Sequence, residues 1–475
     1  MRPDIVFFQQ YAVPYFGILS IIANLKHFGF KADVIIDSLE KDSLRILKKL
    51  QPRLIGFSVL SAEHNWLIDK SKAIREAIPD VTIIVGGIHA LFYPDEILSE
   101  APIDIVCNSE GEDVLLNVIS ELDKASPDWA SIPGLSYKNS KGNIHTNEKA
   151  CLVAFKEDIV EDRTNYFKRY PQLAKDTVQR FFSSRGCPYR CSFCYNSNIQ
   201  DLFKEKGTYV RQKSVENFIK EITLLRDKFQ MTSIFFYDDL FTYRKKWILR
   251  FLEIYGKEIN IPFMCTTRAN VINEDTVRML AKAGCHTVSY GIETGNYNSR
   301  KNVLKKDVTD DQIIRCGHLL HKYGIRTQTT NMFCLPGETL SDAYKTIELN
   351  IKAKTNFAFT ALFMPFPKSE ITEYCIEKGF LKPDYSLKDL PHSFLTSSVL
   401  AMSDKNAIIN IHRLAFFFVK WPLFYKLLRR SVRFSFLNYS FYLLSILSNF
   451  LRHKEERRIT LWHAARYAWR LRGSF

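Results

Sequence analysis

Short apolar runs alternate with stretches of helical period along the first 135 residues. Asp4–Phe8, Ala32–Ile36, Leu54–Val59, Val81–Val85 and Asp104–Cys107 read as strands. Phe16–Phe28, Ser43–Leu50, Asn65–Ala77 and Val114–Leu122 carry helical spacing, and Gly29 is placed to stop the first helix. This alternation predicts a doubly wound parallel α/β sheet of flavodoxin- or Rossmann-like type. Ligands of such sheets bind at the carboxyl ends of the strands. Two of those ends are unusual: Val85-Gly86-Gly87-Ile88-His89 and Asn108-Ser109-Glu110-Gly111-Glu112.

Residues 136–175 read as a linker containing a hairpin turn, Lys138 to Asn143. A second alternating region follows over 176–380. Its strand candidates are Arg180–Ser183, Ser233–Tyr237, Phe263–Thr267, Thr287–Ile292, Thr327–Phe333 and Phe357–Met364, with Val215–Phe229 and Glu274–Ala283 the clearest helices. Six strands with crossover helices suit a curved sheet or a partial TIM-like (β/α)6 barrel better than a flat domain. Residues 381–475 lose the alternation and become aromatic, basic and mostly helical. Four regions are therefore expected, bounded near 135, 175 and 380.

The net charge of +15 belongs largely to the tail, because residues 401–475 hold 14 Lys and Arg against 3 acids. No recognised nucleic-acid module accompanies that charge, so nucleic acid is not expected as a partner. The ten cysteines include six that sit singly in apolar surroundings: Cys107, Cys265, Cys285, Cys316, Cys334 and Cys375. That is not a secreted disulfide framework. With an opening that shows no charged-then-apolar leader, a cytoplasmic location is expected, with the inner membrane face as the alternative within it.

Gly186-Cys-Pro-Tyr-Arg-Cys-Ser-Phe-Cys-Tyr195 carries the most chemistry. Its three cysteines, Cys187, Cys191 and Cys194, follow a strand at C-x3-C-x2-C spacing. Soft thiolates in a tight loop select zinc or an iron–sulfur cluster. Structural zinc wants four ligands, and no fourth Cys or His lies nearby. A cubane on three thiolates leaves one iron open to an external chelate. Three separate buried thiols or a three-ligand zinc knuckle remain the plain alternatives.

The stretch resembles the signature of the radical S-adenosylmethionine superfamily, with Phe193 at its aromatic position. The resemblance spans roughly residues 178–380 and implies a [4Fe–4S] cluster on the three cysteines, with S-adenosylmethionine cleaved to a 5′-deoxyadenosyl radical. Asp238 and Asp239, after the second strand, are similar to the loop that contacts the amino group of S-adenosylmethionine. Arg268 ends the next strand. Gly291-Ile292-Glu293-Thr294 resembles the segment facing ribose and carboxylate, which assigns Glu293. Met332 to Thr339 resembles the segment near the adenine, which assigns Pro336 and Gly337. Pro365-Phe366-Pro367-Lys368-Ser369 departs from the usual Pro-x-Pro-Gly-Thr of the sixth strand.

Ahead of such a barrel, the first sheet resembles the cobalamin-binding domain of class B radical enzymes. The resemblance assigns cobalamin contacts to Gly17, Ser58, Gly86, Gly87, His89, Glu110 and Gly111. No Asp-x-His-x-x-Gly is present to supply a lower cobalt ligand. The function implied is cobalamin-dependent radical modification of an unactivated carbon, foremost methylation of a lipid-like or natural-product substrate. An external flavodoxin- or ferredoxin-type electron donor is implied with it. The alternatives are oxidative cyclisation or ring contraction without methyl transfer, a radical enzyme without cobalamin, and a non-catalytic iron–sulfur or zinc-binding module.

In the tail, Phe434–Leu451 is free of charge, yet Ser435, Asn438, Ser445, Asn449 and Arg452 form a polar stripe at helical spacing. Leu414–Leu428 is broken by Lys420 and Pro422. Either an interfacial membrane helix or a substrate lid on the barrel satisfies this pattern. Trp462, Tyr467 and Trp469, with Arg466, Arg470 and Arg472, suit both.

Overall fold

The computed structural model describes residues 2–457, apart from Ser140 and His392, with side chains at all of these but 449 and 452–457. The aromatic and basic residues singled out between Trp462 and Arg472 lie outside the described residues. The chain divides into two compact units. One comprises the residues up to Thr177 with Ile199–Gln230, the other Val178–Asn198 with the residues from Met231 on.

Five parallel strands form the heart of the first unit: Ile5–Gln9, Ala32–Ile36, Leu54–Ser58, Thr82–Gly86 and Ile105–Cys107. Their spatial order is second, first, third, fourth, fifth, with two antiparallel strands, Leu135–Lys138 and Ile144–Thr146, added at the edge. Those two strands flank the turn signal read in the sequence. Helices cover both faces, so every residue of Ile5–Gln9 is buried and the strands read as apolar runs rather than alternations. The helices begin and end where local chemistry dictates. Asp42 caps Ser43–Leu50 by accepting from Arg45 N, and Gly29 takes a left-handed φ of +85° just after Phe16–His27. The strand order reverses between the first and third strands, and it is at the carboxyl rim of such a reversal that sheets of this kind bind ligands.

The second unit carries six parallel strands in sequence order: Val178–Phe181, Ser233–Phe236, Phe263–Thr267, Cys285–Glu293, Arg326–Phe333 and Phe357–Leu362. The sheet curls into a half-barrel. Helices Lys245–Glu258, Glu274–Lys282, Asp310–Lys322 and Leu340–Lys352 return the chain between successive strands. Asn273, Thr309 and Thr339 cap three of them, the last two in reciprocal capping boxes.

The last strand would be an open edge, and the C-terminal region covers it. Leu362 N donates to Phe394 O at 2.7 Å, and Thr360 Oγ1 donates to His412 O at 3.3 Å. Helix Lys405–Lys420 lays Ile408, Ile411, Ala415 and Phe418 against Phe333, Ala343, Ile347 and Leu362. Trp421 breaks the helix before Pro422–Leu428, and Asn438–Arg457 follows. Of the polar stripe read in the sequence, Asn438 is turned inward. Asn438 bonds to both Asn410 and Asn406, and Ser448 is buried. Among the described residues no helix is long and apolar enough to cross a membrane.

Candidate functional site

The cysteine loop leaves the first half-barrel strand through Gly186, at φ +84°, and is bonded into a fixed shape. Cys194 N donates to Cys191 O at 3.0 Å. Ser197 Oγ donates to the same oxygen at 3.2 Å and to Cys194 O at 2.9 Å. Ser192 pins the loop to the turn after the fourth strand through Leu304 O and Val303 O. Phe193 packs on the apolar cluster of Leu335, Phe363 and Ile371 at the ends of the last two strands.

Two amide and guanidinium donors face the sulfurs. Arg268 Nη1 lies 3.6 Å from Cys191 Sγ, and Asn196 Nδ2 lies 3.6 Å from Cys194 Sγ. Burial pushes the Cys187 thiol up to about 11, with the Asp239 carboxylate and the other two cysteines adding to it. Burial likewise raises Cys194. Metal binding must strip these protons, and N–H donors at the sulfurs stabilise the thiolates once it has. Among the described residues, no three His, Cys, Asp or Glu side chains converge on a single-ion site. Three thiols on one loop with donors aimed at them form a set that suits an iron–sulfur cluster.

The acidic pair after the second strand divides its labour. Asp238 is fully buried, and its carboxylate accepts from Ser183 N at 3.0 Å, from Ser183 Oγ at 2.8 Å and from Ser184 Oγ. It ties the second strand to the strand that delivers the cysteines. Asp239 is the member that acts on Cys187 and Cys194, and burial raises its carboxyl. Arg268 stacks on the loop's Tyr189 at 3.8 Å and donates from Nε to Asn270 Oδ1 at 3.0 Å.

Glu293 sits where the fourth strand bulges, at φ +66°, and pairs with Lys306 Nζ at 2.7 Å with both side chains buried. A Cβ on Gly291 would fall 1.9 Å from Glu293 Oε1 and 2.4 Å from Lys306 Nζ, so a larger residue there would displace this ion pair. Beyond it, Thr294, Asn296, Ser299, Pro336, Gly337 and Glu338 line a cleft of about 320 Å³. Burial pushes the Glu338 carboxyl up to about 8; one oxygen accepts from Leu335 N and the other is buried without a partner. Fully buried Arg300 fixes the cleft wall by donating to Thr294 O at 2.6 Å and Val308 O at 2.7 Å.

In the first unit, the strand-end residues form a rim rather than a cluster of ligands. Ser58 and Gly86 are paired across the third and fourth strands. Gly87, at φ +92°, runs so close to its neighbour that a Cβ would lie 2.7 Å from Val59 N. Gly17 opens on empty space, while a Cβ on Gly111 would meet Ile21 at 2.8 Å. Glu110 is held by Arg211 through both oxygens, at 2.7 Å each, and by Val153 N. His89 is fully buried. Its Nδ1 lies 3.2 Å from Ser61 Oγ and its Nε2 2.9 Å from His64 Nδ1, whose other nitrogen is 3.1 Å from Glu100. Both ring nitrogens of His89 are thus engaged by side chains of the fold.

The loops that part at the strand reversal meet in a second buried tie. Tyr15 OH donates to Glu63 Oε1 at 3.0 Å, and Leu60 N donates to Oε2 at 2.8 Å. Burial pushes the Glu63 carboxyl up to about 7. Leu60 itself is half exposed. Glycines, an apolar Leu60 and polar groups already bonded to one another suit the close approach of a large flat ring such as a corrin.

Lys306, Tyr189, Asn196, Ser61 and Glu63 were not among the residues picked out from the sequence. Tyr189 and Asn196 flank cysteines and could have been suspected. Lys306 lies 13 residues beyond its partner with no signal.

Residues 181–349 match the radical SAM superfamily, and residues 9–119 match the B12 binding domain. An uncharacterized methyltransferase of Pyrococcus horikoshii, PH0819, is 27% identical over 361 residues, covering 73% of this chain and 75% of that one. An anaerobic magnesium-protoporphyrin IX monomethyl ester cyclase of Rubrivivax gelatinosus is 25% identical over 350 residues, covering 71% and 61%. Among solved structures, the radical S-adenosylmethionine methyltransferase TsrM of Kitasatospora setae, with cobalamin and a [4Fe–4S] cluster, superposes with a TM-score of 0.64 at 17% identity over 79% and 78% of the two chains. With a B12-binding domain followed by a radical SAM domain on one chain, this protein belongs to the cobalamin-binding radical S-adenosylmethionine enzymes.

Proposed function

We propose that the enzyme methylates an unactivated carbon of a small amphiphilic substrate, and that the residues described above divide the work as follows. Cys187, Cys191 and Cys194 hold the cluster. Asp239 and Glu293 receive the amino end and the ribose of S-adenosylmethionine, and Pro336 and Gly337 border its adenine. Asp238 and Phe193 position the cysteine loop, and Arg268 donates to the Cys191 sulfur. Gly17, Ser58, Gly86, Gly87, Ser61 and Gly111 border cobalamin, with His89 and Glu110 fixing that rim from behind. When bound, the cluster and cobalamin supply the electron that opens S-adenosylmethionine and the methyl group in transferable form. The chain's own part is to place these groups and exclude water.

The observation that carries this reading is the cysteine loop, three thiols with N–H donors aimed at two of the sulfurs. An external one-electron donor of flavodoxin or ferredoxin type, a cytoplasmic setting and a substrate met at the membrane's inner face complete it. Its test is anaerobic turnover with dithionite and methyl-labelled S-adenosylmethionine, after reconstitution with iron, sulfide and hydroxocobalamin. The expected result is 5′-deoxyadenosine, one corrinoid per chain and label in a product. No 5′-deoxyadenosine would sink the radical reading. A product with no label would favour oxidative cyclisation instead, a reading supported by the cyclase relative. No bound corrinoid would leave a radical enzyme without cobalamin.

A further inference from the structure

The last described helices expose the wrong face for a protein surrounded by water. In Asn438–Arg457, the polar Asn438 turns inward to Asn406 and Asn410, and Ser448 is buried. Tyr439, Tyr442, Leu443, Ile446 and Leu447 fall at intervals of three, one, three and one, which is one stripe of a helix, and all five are exposed. The stripe does not stand alone in the chain. Leu423 is 70% exposed, Leu427 72% and Phe436 79%, with Phe434 and Trp421 about half exposed. Scattered exposed leucines need no explanation, but ten large apolar residues within 27 positions do.

Charge identifies the occupant. Residues 405–452 contain eight Lys and Arg and not one Asp or Glu. Lys426, Arg430 and Arg433 are exposed among the apolar groups, and Lys420 lies over the rings of Phe416 and Trp421. A protein partner would have to bury these cations against acids of its own. A leaflet carrying anionic headgroups meets them with phosphate while its acyl boundary takes the apolar side chains. Among the described residues no helix is long and apolar enough to span, so an in-plane, interfacial arrangement is the one that fits this surface.

We propose that this C-terminal surface docks the enzyme on an anionic bilayer, with Leu423, Leu427, Phe436, Leu443 and Leu447 entering the acyl boundary and Lys426, Arg430 and Arg433 reading the headgroups. The docking stands on this geometry, and only its purpose rests on the amphiphilic-substrate reading.

The test uses the full chain, purified anaerobically, and flotation with vesicles of phosphatidylcholine alone or with one third phosphatidylglycerol. Binding is expected to the anionic vesicles and to be at least about tenfold weaker to the neutral ones, falling with salt. The triple variant Leu427→Ser, Phe436→Ser, Leu443→Ser should lose binding to both. These side chains are exposed, so the fold should survive, and an unchanged melting temperature checks it. The triple variant Lys426→Gln, Arg430→Gln, Arg433→Gln should lose the anionic preference alone. Equal binding to both vesicles, binding untouched by either variant, or a dimer in light scattering that the serine variant breaks and that ignores vesicles would each overturn the proposal. Cleavage of S-adenosylmethionine by the same preparations without vesicles is read in parallel. Its loss in the wild type would count against the radical reading and leave the docking intact.

Discussion

The two units place their working groups at the carboxyl ends of parallel strands, yet they furnish those ends in opposite ways. The half-barrel gathers unlike charges and soft donors: thiols, Arg268, Asp239 and the buried Glu293–Lys306 pair. The first sheet spends its polar groups on one another, through Tyr15–Glu63, Ser61–His89–His64–Glu100 and Glu110–Arg211, and leaves glycines and Leu60 at the rim. A small, charged cosubstrate with a metal cluster needs convergent electrostatics. A large flat ring needs room and a floor that does not move. The same βα arrangement serves both because loops, and not strands, carry the chemistry.

That contrast can be broken at four places. Cys191→Ala removes a thiolate from the convergent site and should abolish both iron binding and 5′-deoxyadenosine formation, while corrinoid binding persists. Iron analysis and corrinoid absorbance check the two halves separately. Lys306→Met leaves Glu293 buried with no counter-charge and should cost about 3–5 kcal/mol, read as a fall in melting temperature, with weaker S-adenosylmethionine binding in equilibrium dialysis. Adding Glu293→Gln should restore the stability and not the binding.

Gly87→Ala addresses the other rim. Its Cβ would press on the Val59 backbone at φ +92°, so about 3 kcal/mol of strain is expected, along with loss of corrinoid stoichiometry and retention of S-adenosylmethionine cleavage. Glu63→Gln tests whether the rim's polar ties serve the fold. The Glu63 carboxyl lies near 7 in the folded chain against 4.5 unfolded, so the folded state holds the proton more tightly. Wild-type stability should therefore fall as pH rises from about 4.5 through 7, by something of order 2–3 kcal/mol, and level off above. The Gln variant should lack that slope in melting curves taken across the range. An identical slope in both would remove Glu63 from the account.

Much of the fold was legible because strands buried on both faces are plain apolar runs. Ala32–Ile36, Ser43–Leu50 and Phe263–Thr267 were read to the residue, and the six half-barrel strands within two or three residues at each end. The tail was legible in composition and not in orientation. Its polar stripe gave the right helical period, but period cannot say which face meets the core, and Asn438 turned inward to Asn406 and Asn410.

What the sequence by itself determined was the kind of chemistry. Three cysteines at fixed spacing lie within one loop, so their geometry is local and travels with the chain. What the tertiary structure alone decided was the partner of each polar group. Lys306 on Glu293, Ser183 on Asp238, His64 on His89 and Arg268 against Cys191 join residues 13 to 77 positions apart. Which of them meet depends on strand order and crossover length, and neither is written in any single segment.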